Sequence, residues 1–260
     1  MRLEADRVSF SYRPGIQALA DVTLSVDDGD ALFVLGSNGS GKTTLLDCLS
    51  GARPPTTGTV RVDGRPISEL SPRERARRIG VVPQLHAPVF PFTVAQVVLM
   101  GRASHLAPLG HPGQEDHRRV EEALVAVGLS ALRDRPYTQT SGGERQLALV
   151  ARGLAQGARC LLLDEPVAHL DPRHQEDVLA VVAGLRGSGF SFVITSHQPD
   201  HAVQHADRVL FLKEGRVHSV GSPQEAMTEA SLGEVYGIGF EIVRGAAGTW
   251  GVLPRGRAAA

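Results

Sequence analysis

The sequence predicts an α/β fold with an N-terminal antiparallel β portion and a helical insert within the main sheet. Short apolar runs at 31–35, 160–163, 191–195 and 209–213 read as buried strands, each followed by turn or helical sequence. Alternating residues at 3–10 and 19–26 read as half-buried strands. From about 84 to 156 the pattern changes to helical.

Taken in order, the turn Arg13-Pro14-Gly15 separates the first two strands. The apolar run 31–35 stops at a glycine-rich turn, and Leu45, Leu46 and Leu49 give residues 43–50 helical spacing. Residues 58–63 and 79–83 read as strands with a basic helical stretch between them. Residues 115–127 are periodic, and 142–155 continue with Leu147, Leu149, Val150 and Leu154. After a last strand at 241–244, the Gly- and Ala-rich tail 245–260 is expected to be loosely ordered. The organisation expected is one unit over 1–240, with a helical subdomain inserted at about 85–158. Residues 241–260 then supply a C-terminal strand and flexible tail.

The composition narrows the class. The chain has 260 residues, 27 basic against 28 acidic, and a formal net charge of −1. A general nucleic-acid surface would show a basic excess, so no nucleic-acid partner is expected. No stretch approaches the roughly 20 continuous apolar residues of a membrane span. The opening MRLEADRVSFSYRPG carries acids and no apolar core, so no leader is expected. Two cysteines, Cys48 and Cys160, suit a reduced compartment. Only Lys42 and Lys213 are lysine, which makes Lys42 conspicuous.

Lys42 lies in Gly36-Ser37-Asn38-Gly39-Ser40-Gly41-Lys42-Thr43, which matches the G-x-x-x-x-G-K-[ST] phosphate loop between a strand and a helix. The glycines let successive N–H groups point at a phosphate, and the following helix adds its positive dipole end. Lys42 supplies a point charge to the β- and γ-phosphates, and the Thr43 hydroxyl suits Mg²⁺. Downstream, the apolar strand 160–163 ends in Asp164 and Glu165, carboxylates that are costly at a buried strand end unless a cation compensates them. Asp164 suits a place near Mg²⁺. Glu165, pointing the other way, suits a base that polarises a water.

Thr140-Ser141-Gly142-Gly143-Glu144-Arg145-Gln146, shortly before that acidic strand, resembles the signature motif of ATP-binding cassette (ABC) ATPases. Serine and two glycines at a helix start make an anion site by the same physics as the phosphate loop. The resemblance runs from about residue 3 to 240. It implies an ABC-type phosphate-loop fold, and ATP contacts from the phosphate loop through Thr44. It also implies contacts from Ser141, Gly142, Gly143 and Glu144 to ATP on a second copy of the domain. Tyr12 looks like the aromatic that stacks on adenine. Gln84 looks like the Q-loop residue that contacts Mg²⁺ and water. Ala168-His169-Leu170-Asp171 resembles the D-loop, and His197 the switch histidine at the γ-phosphate. Thr140, Val167 and His169 depart from the usual pattern; His169 is expected at the subunit interface.

His197, His201 and His205 have metal-like spacing, but Pro199 leaves His197 before the helix, so no metal site is expected there. His86, His105, His111 and His117 are expected to be solvated.

The family resemblance implies an ATPase subunit, with ATP and Mg²⁺ as ligands. ATP closes a dimer of two copies, and hydrolysis reopens it. It drives integral-membrane permease subunits from the cytoplasmic face of the inner membrane, and is served indirectly by a substrate-binding protein. Pro88-Val89-Phe90-Pro91-Phe92 is the expected docking ridge. The stretches from Phe92 to Leu106 and from Glu115 to Leu129, with the segment near Val235-Tyr236-Gly237, resemble importers of ferric siderophores, haem and cobalamin. The alternatives are a molybdate-type importer, an exporter ATPase and a soluble cluster-assembly ATPase.

Overall fold

A computed structural model describes residues 1–84, 90–107, 109–245 and 249–255. Strands β1 (Leu3–Arg13) and β2 (Ile16–Val26) open the chain as an antiparallel pair, Leu3 opposite Val26. Their alternation turns Leu3, Ala5, Val8, Leu19, Val22 and Leu24 inward. Next come β3 (Ala31–Leu35), α1 (Lys42–Ser50), β4 (Thr57–Val62), β5 (Arg65–Pro66), α2 (Pro72–Ala76) and β6 (Ile79–Val82).

The helical region holds α3 (Val94–Leu99), α4 (Gln114–Ala126) and α5 (Gly142–Ala155). The chain then alternates through β7 (Cys160–Leu163), α6 (Pro172–Arg186), β8 (Ser191–Ser196), α7 (Pro199–His205) and β9 (Arg208–Lys213). It continues with β10 (Arg216–Gly221), α8 (Pro223–Ala226), α9 (Glu229–Tyr236), β11 (Phe240–Arg244) and β12 (Trp250–Pro254).

A four-stranded antiparallel sheet, ordered β2-β1-β4-β5, faces a six-stranded sheet ordered β10-β9-β3-β8-β7-β6. In the larger sheet β9, β3, β8, β7 and β6 run parallel and β10 returns antiparallel. The central strand shows why its sequence is apolar at every position. Ala31, Phe33 and Leu35 join a core with the helical region and α6, while Leu32 and Val34 join α1 and the antiparallel sheet. A strand buried on both faces favours an apolar residue at every position.

Parallel pairing also dictates where the chemistry falls. Leu35 pairs with Ser196, Leu163 with Ile194, and Val82 with Leu163, so four strands end on one edge of the sheet. The residues that follow those ends are the phosphate loop, Gln84, Asp164-Glu165 and His197. Carboxyl ends of parallel strands are the usual ligand edge of such sheets.

In the helical region, the buried Arg102 holds three segments together. Its Nε donates to Asp116 Oδ1 at 2.8 Å and its Nη1 to the Ala155 carbonyl at 2.8 Å. The pair lowers the Asp116 carboxyl below its ordinary range, with the Arg102 hydrogen bond as the main cause.

Two differences from the sequence reading concern the C-terminal third. Strand β10 was not expected; it lies at the sheet edge and alternates exposed and half-buried residues. Part of the tail expected to be loose forms β12, paired with β11 from Phe240–Pro254 to Arg244–Trp250. The cause is burial: Val252 is 1% exposed and packs into the main core beside the half-buried Trp250. Of the other tail residues, 246–248 and 256–260 lie outside the described set. Among the described residues, no helix is long and apolar enough to cross a membrane.

The β9–β10 turn braces the phosphate loop. Gly215 donates its N–H to the Ser40 carbonyl at 2.9 Å and accepts from the Ala20 N–H at 2.8 Å. It sits at φ +74°, and a Cβ there would lie 2.5 Å from the Ala18 carbonyl oxygen. Gly215→Ala is therefore expected to destabilise the chain by about 1–3 kcal/mol, read as a lower urea midpoint, and to weaken ATP binding.

Candidate functional site

The phosphate loop curls because its glycines occupy places no side chain can. A Cβ on Gly36 would lie 2.4 Å from the Leu212 carbonyl oxygen; on Gly41, at φ +105°, it would lie 2.6 Å from that of Ala18. Helix α1 starts from Gly41 with no side-chain cap. Its first N–H groups are thus left for an anion.

Lys42 sits inside this loop, 6% exposed. Its Nζ donates to the carbonyls of Gly36 (2.8 Å) and Ser37 (3.1 Å) and lies 3.5 Å from Glu165 Oε1. Burial pulls the Lys42 pKa down, while Glu165 and then Asp164 pull it back up. A buried ammonium against carbonyls, a buried Ser40 hydroxyl with no partner among the described residues, and cradle glycines fit a polyphosphate.

Opposite the loop, Asp164 and Glu165 part in direction as the sequence suggests. Asp164 turns inward, its Oδ1 accepting from Thr195 Oγ1 at 2.7 Å. Glu165 occupies the left-handed region at φ +44°, a strained conformation for a non-glycine residue. Its N–H donates to Thr195 Oγ1 at 2.9 Å. Its carboxylate reaches Lys42, Gln84 Nε2 (3.2 Å) and His197 Nδ1 (3.0 Å). Asp164, Glu165, Gln84 and His197, expected from sequence to act at one site, therefore meet beside the phosphate loop.

A cleft of about 580 Å³ joins the parts, lined by Tyr12, Ile16, Asn38, Lys42, Thr43 and Glu165 among others. Tyr12 is 49% exposed there. Its hydroxyl bonds Thr44 Oγ1 at 2.9 Å, and its ring meets Phe10 edge-on at 5.1 Å.

Ser141, Gly142, Gly143, Glu144 and Asp171 do not line this cleft. Ser141 caps α5: its Oγ accepts from Glu144 N–H at 3.2 Å, while Glu144 Oε2 accepts from Ser141 N–H at 2.7 Å. Asp171 likewise caps α6, accepting from the His174 N–H at 3.1 Å. In this chain both acids serve helix starts, not the cleft. Gly142 and Gly143 pack so closely on Leu170 and His174 that a Cβ would lie 2.7 and 2.8 Å from them. His169 is exposed at φ +65°.

Among the other histidines, His105 departs from the solvated expectation: half-buried, its Nε2 bonds the Gln156 carbonyl oxygen at 2.8 Å. Helix α7 begins after His197, His201 bonds Gln175, and no metal-sized group of ligands occurs among the described residues. His86 and the Pro88-Val89 half of the docking ridge lie outside the described residues. Phe90 and Phe92 of that ridge are 62% and 41% exposed.

The family model described as ABC transporter matches residues 19–168. The chain belongs to the ABC transporter family. The "Hemin import ATP-binding protein HmuV" of Pseudomonas entomophila is 39% identical over 231 residues, covering 87% of this chain and 89% of that protein. A solved chain of a metal-chelate type ABC transporter in an inward-facing conformation superposes with a TM-score of 0.87 at 30% identity, covering 98% of both chains. The dimeric structure of the bacterial ABC transporter cassette MJ0796 superposes with a TM-score of 0.72 at 27% identity, covering 85% of this chain and 98% of that one. The chain is an ABC ATPase domain.

Sequence reasoning missed Thr195, fully buried at 0% exposure, which ties the Asp164 carboxylate to the Glu165 backbone in this ABC ATPase. Its signal was a hydroxyl inside the otherwise apolar run before His197. Thr195→Val leaves Asp164 Oδ1 and the Glu165 N–H without this partner, a loss of about 1–3 kcal/mol for each buried group. Phosphate release is expected to fall at least ~10-fold, with Thr195→Ser close to wild type in the same assay.

Proposed function

We propose that the chain is the ATP-hydrolysing subunit of an importer for a metal chelate, haem foremost, and that two copies work together. It sits on the cytoplasmic face of the inner membrane beneath integral-membrane permease subunits, with a substrate-binding protein delivering cargo from outside. One observation carries the reading. Glu165 lines the phosphate-loop cleft with Lys42 and Gln84 and also meets His197, whereas the Ser141–Gly143 helix start does not line it and is free to serve a second copy's cleft. The hemin-import relative and the metal-chelate neighbour support the cargo class, and the dimeric neighbour supports the pairing.

The steps follow from the residues. Gly36, Ser37, Asn38, Gly39, Ser40 and Gly41 offer backbone N–H groups to the phosphates. Lys42 exchanges the Gly36 and Ser37 carbonyls for phosphate oxygens, and Tyr12 takes the adenine ring on its cleft side. Thr43, Gln84 and Asp164 are the residues that would hold Mg²⁺, which when bound neutralises charge developing on the phosphates. Glu165, released from Lys42 by that exchange, accepts a proton from the attacking water, and His197 holds its carboxylate and reaches the γ-phosphate. Ser141, Gly142 and Gly143 of the other copy close over the same phosphate, with Glu144 fixing the Ser141 backbone and Asp171 fixing the D-loop.

The permease contact lies where the helical region meets the core. A groove of about 440 Å³ there is lined by Val81, Met100, Arg75 and Arg152 among others, and Phe90 and Phe92 stand exposed nearby in sequence. Apolar surface of this kind, in a chain with no spanning helix among its described residues, suits a membrane partner's cytoplasmic segment.

Glu165→Gln keeps the shape and removes the base. With ATP and Mg²⁺ it is expected to elute from size exclusion as a stable dimer and to hydrolyse ATP at least ~100-fold more slowly; normal turnover would remove Glu165 from this role. For the whole protein, co-purification with a permease whose presence, with haem-loaded binding protein, stimulates ATPase activity is the expected result. ATPase activity indifferent to any permease would instead favour a soluble role.

A further inference from the structure

Tyr12 has a second neighbour that the cleft does not contain. The Arg53 guanidinium stands 5.2 Å from the Tyr12 ring centroid and 6.0 Å from that of Phe10. Tyr12 lines the cleft and Arg53 does not, so the cation backs the ring from outside it. Arg53 is itself fixed: its Nε donates to Asp47 Oδ2 at 2.8 Å, and its backbone N–H to the Asp47 carbonyl at 3.1 Å. Asp47 and Thr44 both belong to α1, the helix that starts at the phosphate loop. The ring is thereby tied to the phosphate-binding helix twice, through its hydroxyl on Thr44 and through its face on Arg53 and Asp47.

We infer that Arg53 is a positioning residue for the nucleobase of ATP, holding and polarising the Tyr12 ring on which the base stacks. The inference rests on the proposed stacking role of Tyr12. Two physical effects contribute. A cation behind an aromatic face draws π-electron density toward itself, leaving the cleft-facing side poorer in electrons and better matched to the electron-rich purine. A half-exposed ring without such a brace would also lose rotamer freedom each time a base arrives, and the brace removes that cost beforehand. Because both tethers end on α1, the base platform and the phosphate loop keep a fixed separation. Arg53 therefore acts on ligands that carry a base and is silent toward those that carry only phosphates.

The test compares two ligands on the full chain: a non-hydrolysable ATP analogue and inorganic tripolyphosphate, each with Mg²⁺, by titration calorimetry. Arg53→Gln is expected to weaken the analogue roughly three- to fivefold and to leave tripolyphosphate within error of wild type. Arg53→Lys, which keeps the charge, is expected to recover most of the loss. Tyr12→Ala provides the reference, losing more of the preference for the analogue than Arg53→Gln does. Parallel weakening of both ligands in Arg53→Gln would make Arg53 a general brace of the loop and overturn the inference. So would an unchanged preference in Arg53→Gln alongside a lost preference in Tyr12→Ala, or a failure of Arg53→Lys to recover. If Tyr12→Ala itself keeps the wild-type preference, the stacking role falls and the inference falls with it. Unfolding midpoints of the three variants separate these outcomes from misfolding.

Discussion

A lysine ammonium buried inside a loop of backbone groups is the constraint from which the rest of this site follows. Desolvation works against the charge on Lys42, so the chain surrounds it with the carbonyls of Gly36 and Ser37 and the carboxylate of Glu165. Each compensation makes its own demand. The carbonyls face inward only because glycines let the loop pass within van der Waals reach of Leu212 and Ala18. The carboxylate arrives only because Glu165 adopts a left-handed backbone and Thr195 takes its N–H. Arginine's broad fork could not be held in so small a cradle.

That arrangement is also a poised one. Lys42 holds the loop's own carbonyls and Glu165 together, and a polyphosphate offers it stronger, fully charged partners. In the proposed function the exchange loosens Glu165 from its cation when a water is to be activated, while Gln84 and His197 hold the carboxylate's other oxygen. Strain at Glu165 and the absence of a side-chain cap on α1 are local departures from good folding practice, and both sit at the point of use.

The Ser141 helix start obeys a different logic. Its capping box is complete, so Ser141 and Glu144 satisfy one another, and the two glycines press on Leu170 and His174. The 141–144 and 168–171 segments thus pack against one another outside the lining of Lys42's cleft. The proposed function assigns this helix start to the cleft of a second copy, an arrangement in which each copy supplies part of the other's site.

The sequence by itself determined the elements that depend on local chemistry. The phosphate loop, the four buried strands, the α5 helix from Gly142 to Ala155 and the acids after β7 were all legible, because glycine conformations, apolar runs and helix caps are properties of a few neighbouring residues. Edge strand β10 and strand β12 were not legible, since a short mixed run and a short Trp-containing run become strands only when a partner strand pairs with them. Thr195 and Arg53 escaped for the same reason. A threonine in a strand and an arginine in a loop carry no signal until parallel register sets the one beside Asp164, and chain crossing sets the other behind Tyr12. Short-range pattern chose the parts, and only long-range packing decided which of them touch.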